Sequence, residues 1–331
     1  MTFPLPAQRI DASGRPRIDN RAIAALALPL MLTSSLQAII SLTDTWFVGH
    51  ISTEAIAGMG AVYWFVLLFL MIVGGVGLAV QTFVAQAEGG RRRWRAGHAV
   101  WVALWAALFT LPVFALLAFA GGLILHPFGL DPVVQQQAIA FWQPRMLGAP
   151  FGVALWAVLG FYNGVNRARV SVWITAIVAV VNALLNWVLV IRLQSGIAGS
   201  AWATNLSMLC GVLFALWVFL RPDLRRSHRT HLTWRLDFGS LARQYRVGLP
   251  LGVMYAADLF GMALFQLMQV RLSALEGAAT QIVVMLTSMA FLPGMGLALA
   301  GTTLVGQAIG AGERDWAFRL GNRVILLTVG F

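Results

Sequence analysis

Of the 12 acidic residues in this sequence, ten fall in the N-terminal tail, in polar loops or near the ends of apolar stretches; Asp44 and Asp258 lie inside such stretches. A charge within an apolar run is costly and marks a binding or transport site by default. Asp44 stands six residues before His50, and Asn186 six residues before Arg192. At 1.5 Å per residue, both lie about 9 Å inside the same face. Asn182 shares a helical face with Asn186, one turn deeper, because i and i+4 align. Thr204 enters the following run five residues past Gly199, at about the same level. A carboxylate with amide and hydroxyl oxygens suits a hard cation, or a protonatable acid ringed by hydrogen-bond partners. A purely structural role, with asparagines joining helices and Asp44 capping one near water, is the alternative. Asp258 stands twelve residues after Arg246, about 18 Å deep and near a bilayer midplane. No arginine shares that level, so Asp258 is expected to attract a cationic substrate or bind a coupling ion.

Composition says what must position these groups. The chain is 59% hydrophobic and 11% charged, with a mean hydropathy of +0.79; soluble domains run near a quarter charged. Lipid is the implied solvent, and the implied fold is an all-α membrane protein, a polytopic helix bundle. All 23 basic residues are arginine. Without lysine there is neither a P-loop nor Schiff-base chemistry. The five histidines sit near loops without a metal-ligand pattern. No HExxH motif or pair of catalytic acids on adjacent spans occurs, so no enzyme class is supported. Cys210, the single cysteine, reads as a small packed hydrophobe.

Runs near the roughly 20 residues that cross hydrocarbon occupy roughly 22–48, 56–87, 97–125, 133–164, 170–191, 197–220, 242–270 and 277–309, with a ninth starting at 317. With loops alternating between sides, twenty arginines share the side of the N-terminus, and Arg145, Arg192 and Arg271 take the other. That split predicts a multi-pass protein of the plasma (inner) membrane with a cytoplasmic N-terminus. It also assigns the formal charge of +11 to orientation in a bilayer rather than to a nucleic-acid partner. Arg145, beside Pro144, is expected to snorkel to the outer interface. Trp46, Trp94, Trp142 and Trp316 sit near span ends, as an interfacial belt would. The polar first residues read as a flexible tail.

An offset of 221 pairs Pro29 with Pro250, Gly75 with Gly296, Thr82 with Thr303, Val84 with Val305 and Gln86 with Gln307. The repeat unit holds six spans, an even number, so both copies start on the same face as parallel repeats. The expected organisation is a cytoplasmic tail over 1–21, a six-helix lobe over 22–220, a cytoplasmic linker over 221–241, and part of a second lobe over 242–331. Two full units exceed the 331 residues present, so the second copy is expected to be incomplete. Pro29 and Pro250 should kink their helices and are candidate hinges. The glycines of GGVG at 74–77 and GMG at 294–296 lie within spans and read as close-packing points rather than a nucleotide fingerprint.

The segments SLTDTWFVGHIS, LGFYNGVNRAR, NALLNWVLVI followed by GIAGSAWAT, and TQIVVMLTSMAFLPGMGLALAGTTLVGQAIGAG resemble the MATE family of multidrug and toxic compound extrusion transporters, across almost the whole chain. The resemblance implies antiport of Na⁺ or H⁺ against organic cations by two six-helix lobes that alternate between V-shapes. It implies no cofactor beyond the coupling ion. By this likeness Asp44, Asn182, Asn186 and Thr204 match the family's cation site, and Pro29 its first-span kink. Asp258 stands where the NorM-type branch has glutamate. Many DinF-type members carry aspartate at the position of Asn186, so the likeness is closer to the NorM-type branch. The partners expected are small organic cations and the lipid bilayer, with the chain acting as a monomer. A flippase for lipid-linked sugars is the alternative, but its cavity should be strongly cationic; a non-transporting membrane partner is a third reading.

Overall fold

The computed structural model describes residues 5–10, 16–288 and 291–330. Arg15 of the tail and residues 289–290 of the predicted eighth span lie outside these. Eight helices among the described residues are long and apolar enough to cross a membrane, and the protein is a polytopic helical membrane protein.

Helix α1 (Asn20–Gly49) begins where the Asp19 carboxylate accepts from the Arg21 N–H, satisfying one of the donors every helix start leaves free. Helix α2 (Thr53–Gly89) starts the same way from Ser52. The third span is broken into α3 (Arg93–Phe109), α4 (Leu111–Phe119) and α5 (Gly121–Leu125). Pro112, at the start of α4, lacks the N–H needed to continue α3 without interruption. Helix α6 (Pro132–Gly164) is the most enclosed span. Helix α7 (Ala168–Asn186) passes directly into a π-helical turn, Trp187–Arg192, and α8 (Gly196–Phe219) follows.

The predicted linker is not a bare loop. It holds α9 (Pro222–His228) and lies against α2 and α3. His228 meets the Glu88 carboxylate at 3.2 Å, and the Trp101 indole N–H donates to the Thr230 carbonyl at 2.6 Å. Beyond it run α10 (Phe238–Leu272), α11 (Ala274–Ser288), α12 (Leu292–Gly310) and α13 (Arg314–Val329). Of the run expected as one span over 277–309, the described residues form α11 and α12, with Pro293 in the first turn of α12. The repeat is visible in these bounds. Shifted by 221, α2 falls on the start of α11 and the end of α12, and Ser52 falls on Ser273. Both serines are extended, and each accepts from the N–H three residues on.

The tail, expected to be flexible, forms an antiparallel ribbon of β1 (Gln8–Ile10) and β2 (Pro16–Ile18). It is tied to α13, because the Trp316 indole N–H donates to the Pro6 carbonyl at 2.9 Å. Trp316 is therefore buried, as is Trp142, whose N–H donates to the Leu117 carbonyl. Trp46 and Trp94 are exposed as the belt requires. Cys210 is exposed rather than packed; a lipid-facing position is as apolar as a core and places no demand for burial on a thiol.

The two repeats meet through glycines. A Cβ at Gly75 would collide with the Gly248 carbonyl, and one at Gly252 with the Met71 carbonyl, where α2 crosses α10. A Cβ at Gly296 would likewise strike Met31, where α12 meets α1. Lipid supplies no hydrophobic drive between helices, so small residues that bring backbones together do that work. Polar bonds add to this contact: Gln81 donates to the Leu299 carbonyl and to Thr303, and Gln307 donates to the Gly164 carbonyl at 2.9 Å. Pro29 and Pro250 lie inside α1 and α10 as expected, and each helix runs on past its proline.

The packing predicts that Gly252→Ala costs about 1–3 kcal/mol by overpacking, read as a lower melting temperature in detergent. Gly261→Ala, where a Cβ meets open space, should leave melting unchanged or raise it. Equal effects of the two substitutions would contradict the glycine contact.

Candidate functional site

The floor of the site is α7. Asn182 and Asn186, one turn apart, present both amides to α1, and the chain widens into the π-helical turn immediately after Asn186. Such turns re-aim side chains and are frequent at functional positions. Asp44 enters from α1 and Thr204 from α8, and all four side chains are buried.

Asp44 receives a donor from each of them. The Asn182 and Asn186 amide nitrogens donate to Oδ1 at 2.9 and 2.8 Å, and the Thr204 hydroxyl donates to Oδ2 at 2.7 Å. No cation is among these partners, so every hydrogen-bond donor to the carboxylate is neutral. The Thr204 hydroxyl also lies 3.1 Å from the Ser200 carbonyl. It therefore has a second acceptor when its proton is not wanted by Asp44. The Asn182 and Asn186 amide oxygens and the Ser200 hydroxyl are buried without hydrogen-bond partners. Unpaired buried acceptors cost about 1–3 kcal/mol each, so they mark unused coordinating capacity around the carboxylate.

Around this centre, the Tyr63 hydroxyl of α2 lies 3.1 Å from Ser41, one turn before Asp44 on α1. Arg145 of α6 is buried and donates from Nη1 to the Asn205 Oδ1 at 2.9 Å. The expectation that Arg145 snorkels to the interface is corrected here. It stands thirteen residues into a 33-residue helix, about 20 Å from its start at 1.5 Å per residue, too far to reach the end. Asn205 was not singled out in the sequence, although it follows Thr204 directly. A step of one residue turns it about 100° round α8, toward α6 instead of α1.

Of the five candidate cation ligands, the four expected at one depth meet at Asp44. Asp258 is exposed on α10, apart from the buried four and bonded to none of them. The buried residues of α10 before and after it, Gly252, Ala256 and Ala263, turn another face inward. No group of histidine, cysteine and acidic residues suited to a bound metal occurs among the described residues.

A family model described as MatE matches residues 29–188 and 250–331. A probable multidrug resistance protein NorM of Mesorhizobium japonicum is 31% identical, over 97% of this chain and 72% of its own length. A second, from Pseudomonas aeruginosa, is also 31% identical, over 92% of this chain and 64% of its own length. Among solved structures, a MOP superfamily transporter from Pyrococcus furiosus superposes with a TM-score of 0.74 at 21% identity, over 92% of this chain and 69% of that one. A multidrug resistance MATE family transporter in an outward-facing conformation gives 0.75 at 19% identity, with the same coverage.

If the four-residue cluster is one unit, Asn182→Leu should cost about 1–3 kcal/mol by stripping a donor from a buried carboxylate. The double variant Asp44→Leu, Asn182→Leu should then lose less than the sum of the two singles. Additive losses in detergent melting would contradict the coupling.

Proposed function

The chain belongs to the MatE family, and from that premise we propose that it is a cation-coupled antiporter that exports organic cations, with Asp44 as its exchange site. The observation that carries this reading is a buried carboxylate held only by neutral donors, ringed by amide and hydroxyl oxygens that bond to nothing. A site that must load and release a cation needs an anion that stays folded without one. The three donors to Asp44 meet that need.

The same groups serve either coupling ion. For Na⁺, rotation of the Asn182 and Asn186 amides turns their unpaired oxygens toward the carboxylate. With Thr204 and Ser200 they complete an oxygen shell of the kind a hard cation takes. For H⁺, the proton stays on Asp44 Oδ2, whose O–H donates a hydrogen bond to the Thr204 oxygen, while the Thr204 O–H turns to the Ser200 carbonyl. Either ion removes the negative charge and with it the attraction for an organic cation. That opposition is what exchange requires.

Alternating access places the two repeats as lobes, with α1, α2, α10 and α12 at their meeting face and Pro29 and Pro250 as hinge points. The arginine-rich side, with the N-terminus, faces the cytoplasm of the plasma membrane, and Asp258 serves the second lobe. Exchange at a site within one lobe requires no second copy of the chain.

Everted vesicles carrying the protein should move ethidium against a Na⁺ or H⁺ gradient. Asp44→Asn should slow that movement about tenfold or more, the equivalent of one charge-assisted contact. Gradient-driven movement unchanged by Asp44→Asn would remove Asp44 from the exchange role.

A further inference from the structure

The chain between the two repeats, residues 221–237, carries five arginines and is pinned along α3 like a strap. Three ring nitrogens of α3 hold it. His98 Nδ1 lies 3.0 Å from the Thr233 carbonyl, and the Trp101 and Trp105 indoles donate to the Thr230 and Trp234 carbonyls at 2.6 and 2.9 Å. Residues 98, 101 and 105 share one helical face. Gly97 lets the strap come close, because a Cβ there would collide with the His228 carbonyl. The strap also reaches the end of α8, where the Thr230 hydroxyl donates to the Phe219 carbonyl at 3.0 Å.

Irregular backbone does not lie bare in hydrocarbon, where its polar groups find no water. The bilayer core therefore begins no earlier than Trp105 on α3. The surface of this span changes at that level. Before Trp105 the exposed residues of α3 are Arg93, Trp94 and Arg95, whereas from Leu108 to Leu123 every exposed residue is apolar. Residues 106–125 cover about 30 Å at 1.5 Å per residue, the thickness of a hydrocarbon core. At this boundary the strap exposes Leu232 and Trp234, with Arg229 and Arg235 on either side of them. Arg221 stacks over Trp217 at the end of α8, 3.9 Å from the ring centroid. The two acids of the strap are engaged elsewhere: Asp223 pairs with Arg167 at 2.7 Å, and Asp237 caps α10. Among the described residues, Arg221, Arg229 and Arg235 have no carboxylate partner.

We propose that the strap, residues 229–235 with Arg221 beside it, is a docking site for anionic phospholipid. Leu232 and Trp234 enter the edge of the acyl layer, and the arginines hold the headgroup phosphates. Charge complementarity commits the site to this occupant. Guanidiniums recognise phosphate through paired N–H donors, and these three meet no protein anion at a level where phosphates lie. A zwitterionic headgroup cancels its phosphate with its own ammonium, whereas an anionic lipid brings net negative charge to the arginines. The indoles of Trp217 and Trp234 suit the same level, with an apolar body and a polar edge. The site lies outside the polar cluster around Asp44 and is independent of what the protein transports.

The test titrates phosphatidylglycerol and phosphatidylcholine, each with brominated acyl chains that quench nearby indoles, into the purified protein in detergent. The difference from Trp234→Phe isolates the Trp234 fluorescence. Phosphatidylglycerol should reach half-quenching at a concentration about twentyfold lower than phosphatidylcholine. Arg229→Gln and Arg235→Gln should each shrink that ratio about fivefold, one surface arginine's share of the attraction. Added salt should shrink it in the wild type. Inorganic phosphate at matched ionic strength should leave the lipid in place. Both arginines are exposed, so their variants should fold; if one does not, the wild-type ratio and its salt dependence decide. Equal quenching by the two lipids, a ratio unchanged in both arginine variants, or displacement by inorganic phosphate would overturn the proposal. A Trp234 signal that neither lipid quenches would place the strap in water and overturn it as well.

Discussion

A carboxylate among apolar helices has no water to solvate it, so the protein must supply the dipoles. At Asp44 they come from two other helices: α7 gives two amides one turn apart, and α8 gives a hydroxyl. Each must arrive within hydrogen-bond distance at once. That requirement fixes the register of α1 against α7 and of α7 against α8 more tightly than apolar packing does. Leu and Ile faces tolerate sliding, whereas a buried anion short of one donor does not.

The rest of the molecule holds that register. The enclosed α6 supports α8 through the Asn205 bond to Pro144 and supports α2 along its length. Helix α2 in turn carries the second repeat, because glycines at 75, 248 and 252 let α10 lie against its backbone. Two kinds of contact therefore coexist. Inside the first repeat, polar groups pin side chains to single positions. Between the repeats, close backbone contact and a few amide bonds such as Gln307 to Gly164 hold surfaces that contain little bulk to interlock.

Depth counting from the polar loops identified Asp44, Asn182, Asn186 and Thr204, because each lies within a few residues of a clear helix end. The glycine reading also held, with Gly75 against Gly248 and Gly296 against Met31. The same counting failed for Arg145, because α6 is much longer than a bilayer needs and its ends say little about depth. Trp142 and Trp316 were misplaced for a different reason. An indole N–H that finds a carbonyl, here Leu117 and Pro6, can be buried, and no sequence period announces that partner. A local backbone event, the π-helical turn after Asn186, depends on packing and stayed hidden. Asp258 was legible as an acid within a span, but the sequence alone could not separate its face of α10 from the buried one.

The central claim is that Asp44 is an ionisable carboxylate whose partners change when a cation or proton arrives. Infrared difference spectroscopy of the purified protein in lipid reads this directly, through the carboxylate stretch. Addition of Na⁺ at neutral pH, or acidification, should shift or replace one carboxylate band, and that band should be absent from Asp44→Asn. Difference spectra that are the same with and without Asp44 would contradict the account.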